Sequence, residues 1–135
     1  MPDPTSRNLP RPLDVSERRT LLTLLDHAGF RGRGELREQV DHARVVGVCD
    51  CGCATVDLEV DAAAPPAPRD TPSPIPNEAT VLGEDGGASG GVLVFVSDEG
   101  RLSMLEVYSY DVEPISEFPP PERLELTTLG RRPGL

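Results

Sequence analysis

A chain of 135 residues with a hydrophobic share of 37%, three Phe, two Tyr and no Trp has room for one core and one site, which excludes a two-domain layout. Its formal net charge of −10 excludes a surface that attracts nucleic-acid phosphates. Three cysteines, an odd count, do not suit a secreted disulfide framework and point to a reducing, cytoplasmic setting.

The opening MPDPTSRNLPRP is polar and proline-rich, lacks the charged-then-apolar pattern of a secretory signal, and predicts a disordered leader over residues 1–12. A single domain over residues 13–126 then begins with LDVSERRTLLTLLDHAGF, whose spacing predicts a helix from Val15 to His27. Asp14 and Glu17 stand at capping-box distance, Val15, Leu21, Leu22 and Leu25 fall near one face, and Gly29 followed by Phe30 reads as a helix stop. GELREQVDHA predicts a second, shorter helix that docks through Leu36 and Val40.

At VGVCDCGCATVDLEV the period changes to alternation. Val46, Val48, Ala54, Val56, Leu58 and Val60 share one parity; Cys49, Cys51 and Cys53 share the other with Thr55, Asp57 and Glu59. A three-residue loop Asp50-Cys51-Gly52 that pairs Cys49 with Cys53 preserves that parity through both arms of a hairpin. Six prolines between positions 65 and 76 then predict a mobile insertion over residues 62–78, because proline at that density fits neither a ladder nor a helix interior.

ATVL restarts the sheet, and GEDGGASGG is a loop without the lysine and following helix of a phosphate cradle. VLVFV is apolar at every position, as a central strand covered on both faces would be, and is far too short to span a bilayer, so no membrane partner is expected. SDEG turns it into RLSMLEVYSY as a hairpin. A short strand at Leu124–Leu126 follows the polyproline stretch, and residues 127–135 read as a frayed tail. The fold class is α+β: one or two N-terminal helices on a small antiparallel sheet of about four or five strands.

Two constellations carry chemistry. Cys49, Cys51 and Cys53, with His42 seven positions upstream of Cys49, offer four zinc ligands, although C-x-C-x-C lacks the paired spacers common in structural zinc sites. Acidic neighbours Asp50, Asp57 and Glu59 work against a reactive thiolate, and small residues packed at a hairpin end explain the same cysteines without any ligand. No nucleophile elbow, zincin, P-loop or dinucleotide fingerprint occurs, so neither an enzyme nor an organic cofactor is expected.

The second constellation is electrostatic. Residues 1–44 hold eight arginines against seven acids, whereas residues 45–126 hold three against sixteen. Within the acidic half, Glu106 shares strand parity with Leu102, Met104, Tyr108 and Tyr110, and Asp111 and Glu113 lie just beyond. Tyrosines with a polar tip among carboxylates suit contact with arginine or lysine on another protein. The expected function is therefore a non-enzymatic acidic binding module, of inhibitor or immunity type, that meets a basic partner through Glu106, Tyr108, Tyr110, Asp111 and Glu113. The alternative is a small zinc- or thiol-dependent protein organised by the cysteine hairpin.

The strings ELREQVDHARVVGVCDCGCATVDLEV and GRLSMLEVYSYDVEPISEFPPPERLEL resemble a group of small actinobacterial proteins with a similar opening helix, a CxCGC-type stretch and a closing hairpin. The resemblance covers most of residues 13–126 and implies a single domain; it carries no activity and no functional residues.

Overall fold

The computed structural model describes residues 9–129 and has the expected α+β architecture: two helices and a seven-stranded, wholly antiparallel sheet. The helices are α1 (Val15–His27) and α2 (Arg33–Gln39), the latter continued by a 3-10 turn at Val40–His42. The strands are β1 (Arg11–Pro12), β2 (Ala43–Val48), β3 (Val56–Val60), β4 (Asn77–Leu82), β5 (Ala88–Val96), β6 (Leu102–Ser109) and β7 (Leu124–Thr128), in the order β1-β2-β3-β6-β5-β4-β7. Seven strands replace the expected four or five.

The leader supplies one of the extra strands. Arg11 and Pro12 pair with Val45 and Arg44, and a proline is tolerated there because β1 lies at the sheet edge, where a missing N–H costs no ladder bond. Residues 1–8 of the expected disordered leader lie outside the described residues. At the other end, Thr127 and Thr128 belong to β7, the opposite edge, so that part of the expected frayed tail is paired with Glu78 and Asn77; residues 130–135 lie outside the described residues.

α1 starts where its capping box places it. The Glu17 N–H donates to Asp14 Oδ1 at 2.8 Å and the Asp14 N–H to Glu17 Oε1 at 2.9 Å, which satisfies two orphan donors of the first turn. The buried face is Glu17, Thr20, Leu21, Leu24 and Leu25, while Val15 projects into solvent. Each buried leucine contributes about 1.5–3 kcal/mol of burial free energy. The helix does not end on a left-handed glycine. Ala28 is extended, and the amide of buried Asn77, on β4, donates to the Leu24 and Ala28 carbonyls at 2.8 and 2.9 Å.

Both helices lie on one sheet face. Leu21, Leu24, Leu25, Leu36 and Val40 share a core with Val45, Val56, Leu58, Val92, Val94, Leu105 and Val107, closed by Ile75 and Phe118. In β5 the burial alternates: Val92, Val94 and Val96 are buried, whereas Leu93 and Phe95 are half-exposed. The expectation of a strand covered on both faces is thus corrected. Among the described residues no helix lies over the second face, and the five consecutive apolar residues divide between core and solvent side.

The proline-rich segment, expected to be mobile over residues 62–78, is packed down and ends early. Asn77 and Glu78 already belong to β4. Ala64, Ala67 and Ile75 are buried. The Ala67 N–H donates to the Gly100 carbonyl, the Ile75 N–H to the Val94 carbonyl and the Val96 N–H to Ser73 Oγ. Fully buried Gln39 donates from Nε2 to the Pro65 and Gly100 carbonyls and accepts the Leu102 N–H, so every polar atom of its amide is used. Arg101 reaches the carbonyls of Asp61, Ala62 and Ala64. Proline removes donors from the segment, but its carbonyls remain, and donors from other elements take them.

Candidate functional site

The cysteine hairpin differs from its expected form. Pairing of β2 with β3 closes at Val48 and Val56, so residues 49–55 form the connection and Cys49 is not paired with Cys53. A register shift between Val45 and Gly47 turns Val46 outward, where it is 38% exposed, and buries Val45 instead. One extra residue in one strand reverses the parity of everything on its far side. Gly52, at φ 91°, supplies the left-handed step of the loop.

Two anchors hold this loop. The Ala54 N–H donates to the Ile115 carbonyl at 2.9 Å, and the Thr55 hydroxyl accepts the Val107 N–H and donates to the Val107 carbonyl. Between them the three thiols converge: all three Sγ atoms lie within 4.8 Å of one another, with Cys49 and Cys51 at 2.8 Å and the Cys53 N–H directed at Cys51 Sγ at 3.3 Å. All three cysteines are free; Cys51 is exposed and the other two half-buried.

The thiols differ in acidity. Burial works against the Cys53 thiolate, but hydrogen bonds from Thr55, Cys51 and Cys49 outweigh it and bring its pKa down to about 7. Cys51, whose hydrogen bonds to Cys49 and Cys53 favour its protonated form, is pushed up to about 11. At Cys53 local hydrogen bonds, rather than the acidic neighbours Asp50, Asp57 and Glu59, set the direction of the shift.

His42 does not join the cysteines. It lies in the 3-10 turn before β2, while Cys49 follows the far end of that strand, and six residues of strand separate the two by roughly 20 Å. Among the described residues, no His, Asp or Glu completes the three-cysteine group. Beside the loop is a pocket of about 250 Å³ bounded by Cys49, Cys53, Glu17, Arg11 and Phe118. Within it Arg11 Nη1 and Nη2 each donate to a Glu17 carboxylate oxygen at 2.9 Å, while Asp14 and Glu117 add two further carboxylates to the lining.

The acidic site expected on the last long strand divides in two. Glu106 and Tyr108 stand on the helix-free sheet face, where Glu106 is opposite Leu93 and Tyr108 opposite Gly91. The Tyr108 ring lies over Gly91, so a side chain at that position would collide with it. Burial raises the Tyr108 pKa, with Tyr110, Glu78 and Glu106 adding to the effect. Tyr110, Asp111 and Glu113 lie instead in the exposed turn beyond β6, with the Tyr110 ring 5.9 Å from that of Tyr108.

Sequence reading missed much of this face. Leu93, Phe95 and Met104 form a half-exposed apolar strip at its centre, with Phe95 opposite Met104. Register places Asp57 beside Met104, Glu78 opposite Thr127, and Glu125 opposite Thr80. Among the described residues, Asp57, Glu78, Glu106 and Glu125 make no ion pair, and Glu59 alone on this face has a cation, Arg44. The alternation of β3 and β4 marks their outward residues, but nothing local tells which strands lie side by side. Among the described residues no helix is long and apolar enough to cross a membrane. No protein-family model, curated protein or solved structure matches the chain.

Proposed function

We propose that the protein is a non-enzymatic binding module that docks a basic protein on its helix-free sheet face. The observation that carries this reading is the composition of that face: an apolar strip of Leu93, Phe95, Met104 and Tyr108 bordered by Asp57, Glu78, Glu106 and Glu125, which make no ion pair among the described residues. Protein interfaces have an apolar centre and a polar rim, and aromatic residues and methionine are enriched in the centre. Apart from the Arg44–Glu59 pair the rim is acidic, so arginine and lysine on a partner would neutralise it, speed association and make it salt-sensitive. An inhibitor or immunity-type role, in which the face covers a basic site on another protein, fits this chemistry. The charge of the sheet half alone is also consistent with simple solubility; the apolar strip inside the charged rim is what favours docking.

The test pairs capture from the native host at low and moderate salt with NMR mapping of the captured partner onto the labelled protein. Expected are a basic partner released by salt, shift changes concentrated on Leu93, Phe95, Met104 and Glu106, and at least a ~10-fold weaker complex for the double charge reversal Glu78→Lys, Glu106→Lys. Shift changes on α1, or a partner held equally by that variant, overturn the reading.

A further inference from the structure

The cysteine loop is separate from the docking face and carries chemistry of its own. We infer that Cys49, Cys51 and Cys53 form a three-coordinate, all-thiolate site for a soft monovalent metal ion, Cu(I).

Geometry supports one ion held by all three sulfurs. Metal–thiolate bonds of about 2.3 Å place three sulfurs around a single ion roughly 4 Å apart. The three Sγ atoms already lie within 4.8 Å of one another. The Cys49–Cys51 contact, at 2.8 Å, has to widen, and rotation about the side-chain bonds of an irregular loop supplies that movement. The backbone beneath stays fixed, because the Val48–Val56 pair and the Ala54 and Thr55 anchors lie outside the three side chains.

The donor set selects the metal. Structural zinc requires four ligands, and among the described residues no histidine or carboxylate joins the cluster; His42, the one expected fourth ligand, is at the other end of β2. Thiolate sulfur is a soft donor that favours Cu(I), and three such donors complete a trigonal site for that ion without a fourth. The Cys53 N–H directed at Cys51 Sγ stabilises charge on that sulfur, and the exposure of Cys51 leaves a path of entry. Binding exchanges thiol protons for the ion and moves no electrons, so the site holds or passes on copper without redox chemistry.

The experiment is anaerobic titration of the reduced, full-length, metal-free protein with Cu(I) against a competing Cu(I) chelator, followed by X-ray absorption at the copper edge. Expected are one Cu(I) per chain, a first shell of three sulfurs, and affinity lowered at least ~100-fold in Cys51→Ser but unchanged in His42→Ala. Far-UV circular dichroism reports whether the serine variant folds. Should it not, folded wild type with its thiols blocked by N-ethylmaleimide makes the same comparison. A shell containing nitrogen or oxygen, equal affinity after thiol blocking, or displacement of Cu(I) by an equimolar amount of Zn(II) overturns the assignment.

Discussion

The hydroxyl of Thr55 satisfies both backbone polar groups of Val107, accepting its N–H at 3.0 Å and donating to its carbonyl at 3.1 Å. Main-chain pairing of β3 with β6 spans only Val56 with Leu105 and Asp57 with Met104, and beyond it a side chain takes the place of the ladder. Thr55→Val keeps the shape but removes both partners, and should cost about 1–3 kcal/mol in urea unfolding, whereas Thr55→Ser should cost under about 1 kcal/mol. Equal stability of wild type and Thr55→Val would show that water replaces the hydroxyl.

Asn77 should be sensitive to charge as well as size. Its amide caps the carbonyl end of α1, and its Oδ1 accepts a hydrogen bond from the Thr128 hydroxyl. Asn77→Ala leaves two carbonyls without this donor and should lower stability by about 2 kcal/mol. Asn77→Asp should be worse near neutral pH, since it aims a carboxylate at the negative end of the helix. That environment raises the carboxyl's folded-state pKa above its unfolded value. The extra penalty should therefore disappear as pH falls below the unfolded-state pKa and grow as pH rises toward the folded one. Thermal melts of both variants at several pH values check the sign.

Alkylation should discriminate among the thiols of the metal-free protein. With Cys53 near 7 and Cys51 near 11, iodoacetamide should modify Cys53 first, at a rate that rises steeply through pH 7. Cys51, although exposed, should lag throughout the neutral range. Peptide mass spectrometry after short exposures from about pH 6 to about pH 9 measures the order. Faster modification of Cys51 would mean that exposure, not acidity, governs this loop.

The proline-rich segment yields a proteolysis test. Arg69 is exposed, but the carbonyls before it are held by Gln39 and Arg101. Native protein should resist trypsin at Arg69, and Gln39→Ala, which removes the partner of the Pro65 carbonyl and of the buried Leu102 N–H and one of two donors to the Gly100 carbonyl, should speed that cut at least ~10-fold and cost about 2 kcal/mol. Rapid cleavage of the wild type at Arg69 would restore the picture of a mobile insertion.

What was legible in the sequence was what neighbours along the chain decide. The Asp14–Glu17 box and the spacing of Leu21 and Leu25 place α1 to the residue, and SDEG between apolar runs places the β5–β6 hairpin. The cysteine loop was harder, because the shift at Val46 reverses the parity of β2, and its one local sign is the glycine beside it, Gly47. Proline composition signals the absence of regular structure correctly, but the donors that order the segment lie on α2, in the β5–β6 turn and at the start of β6. The open face is assembled from strands far apart in the sequence, so it was not legible locally that Asp57, Glu78, Glu106 and Glu125 share one surface.

Strand order has a consequence for how the chain is held together. β1, β2 and β3 come from the first half of the sequence and β4 to β7 from the second, and the two sub-sheets meet along one short seam between β3 and β6. Closing that seam brings together residues nearly fifty positions apart, a late and entropically costly event compared with formation of either set of hairpins. Side chains lace it where the ladder is short: Thr55 to Val107, Gln39 to Leu102, and Arg101 to the carbonyls of residues 61–64. The proline-rich stretch is the covalent tether between the halves, and its order follows from their docking; a chain nicked at Arg69 would remain one particle, joined across the seam.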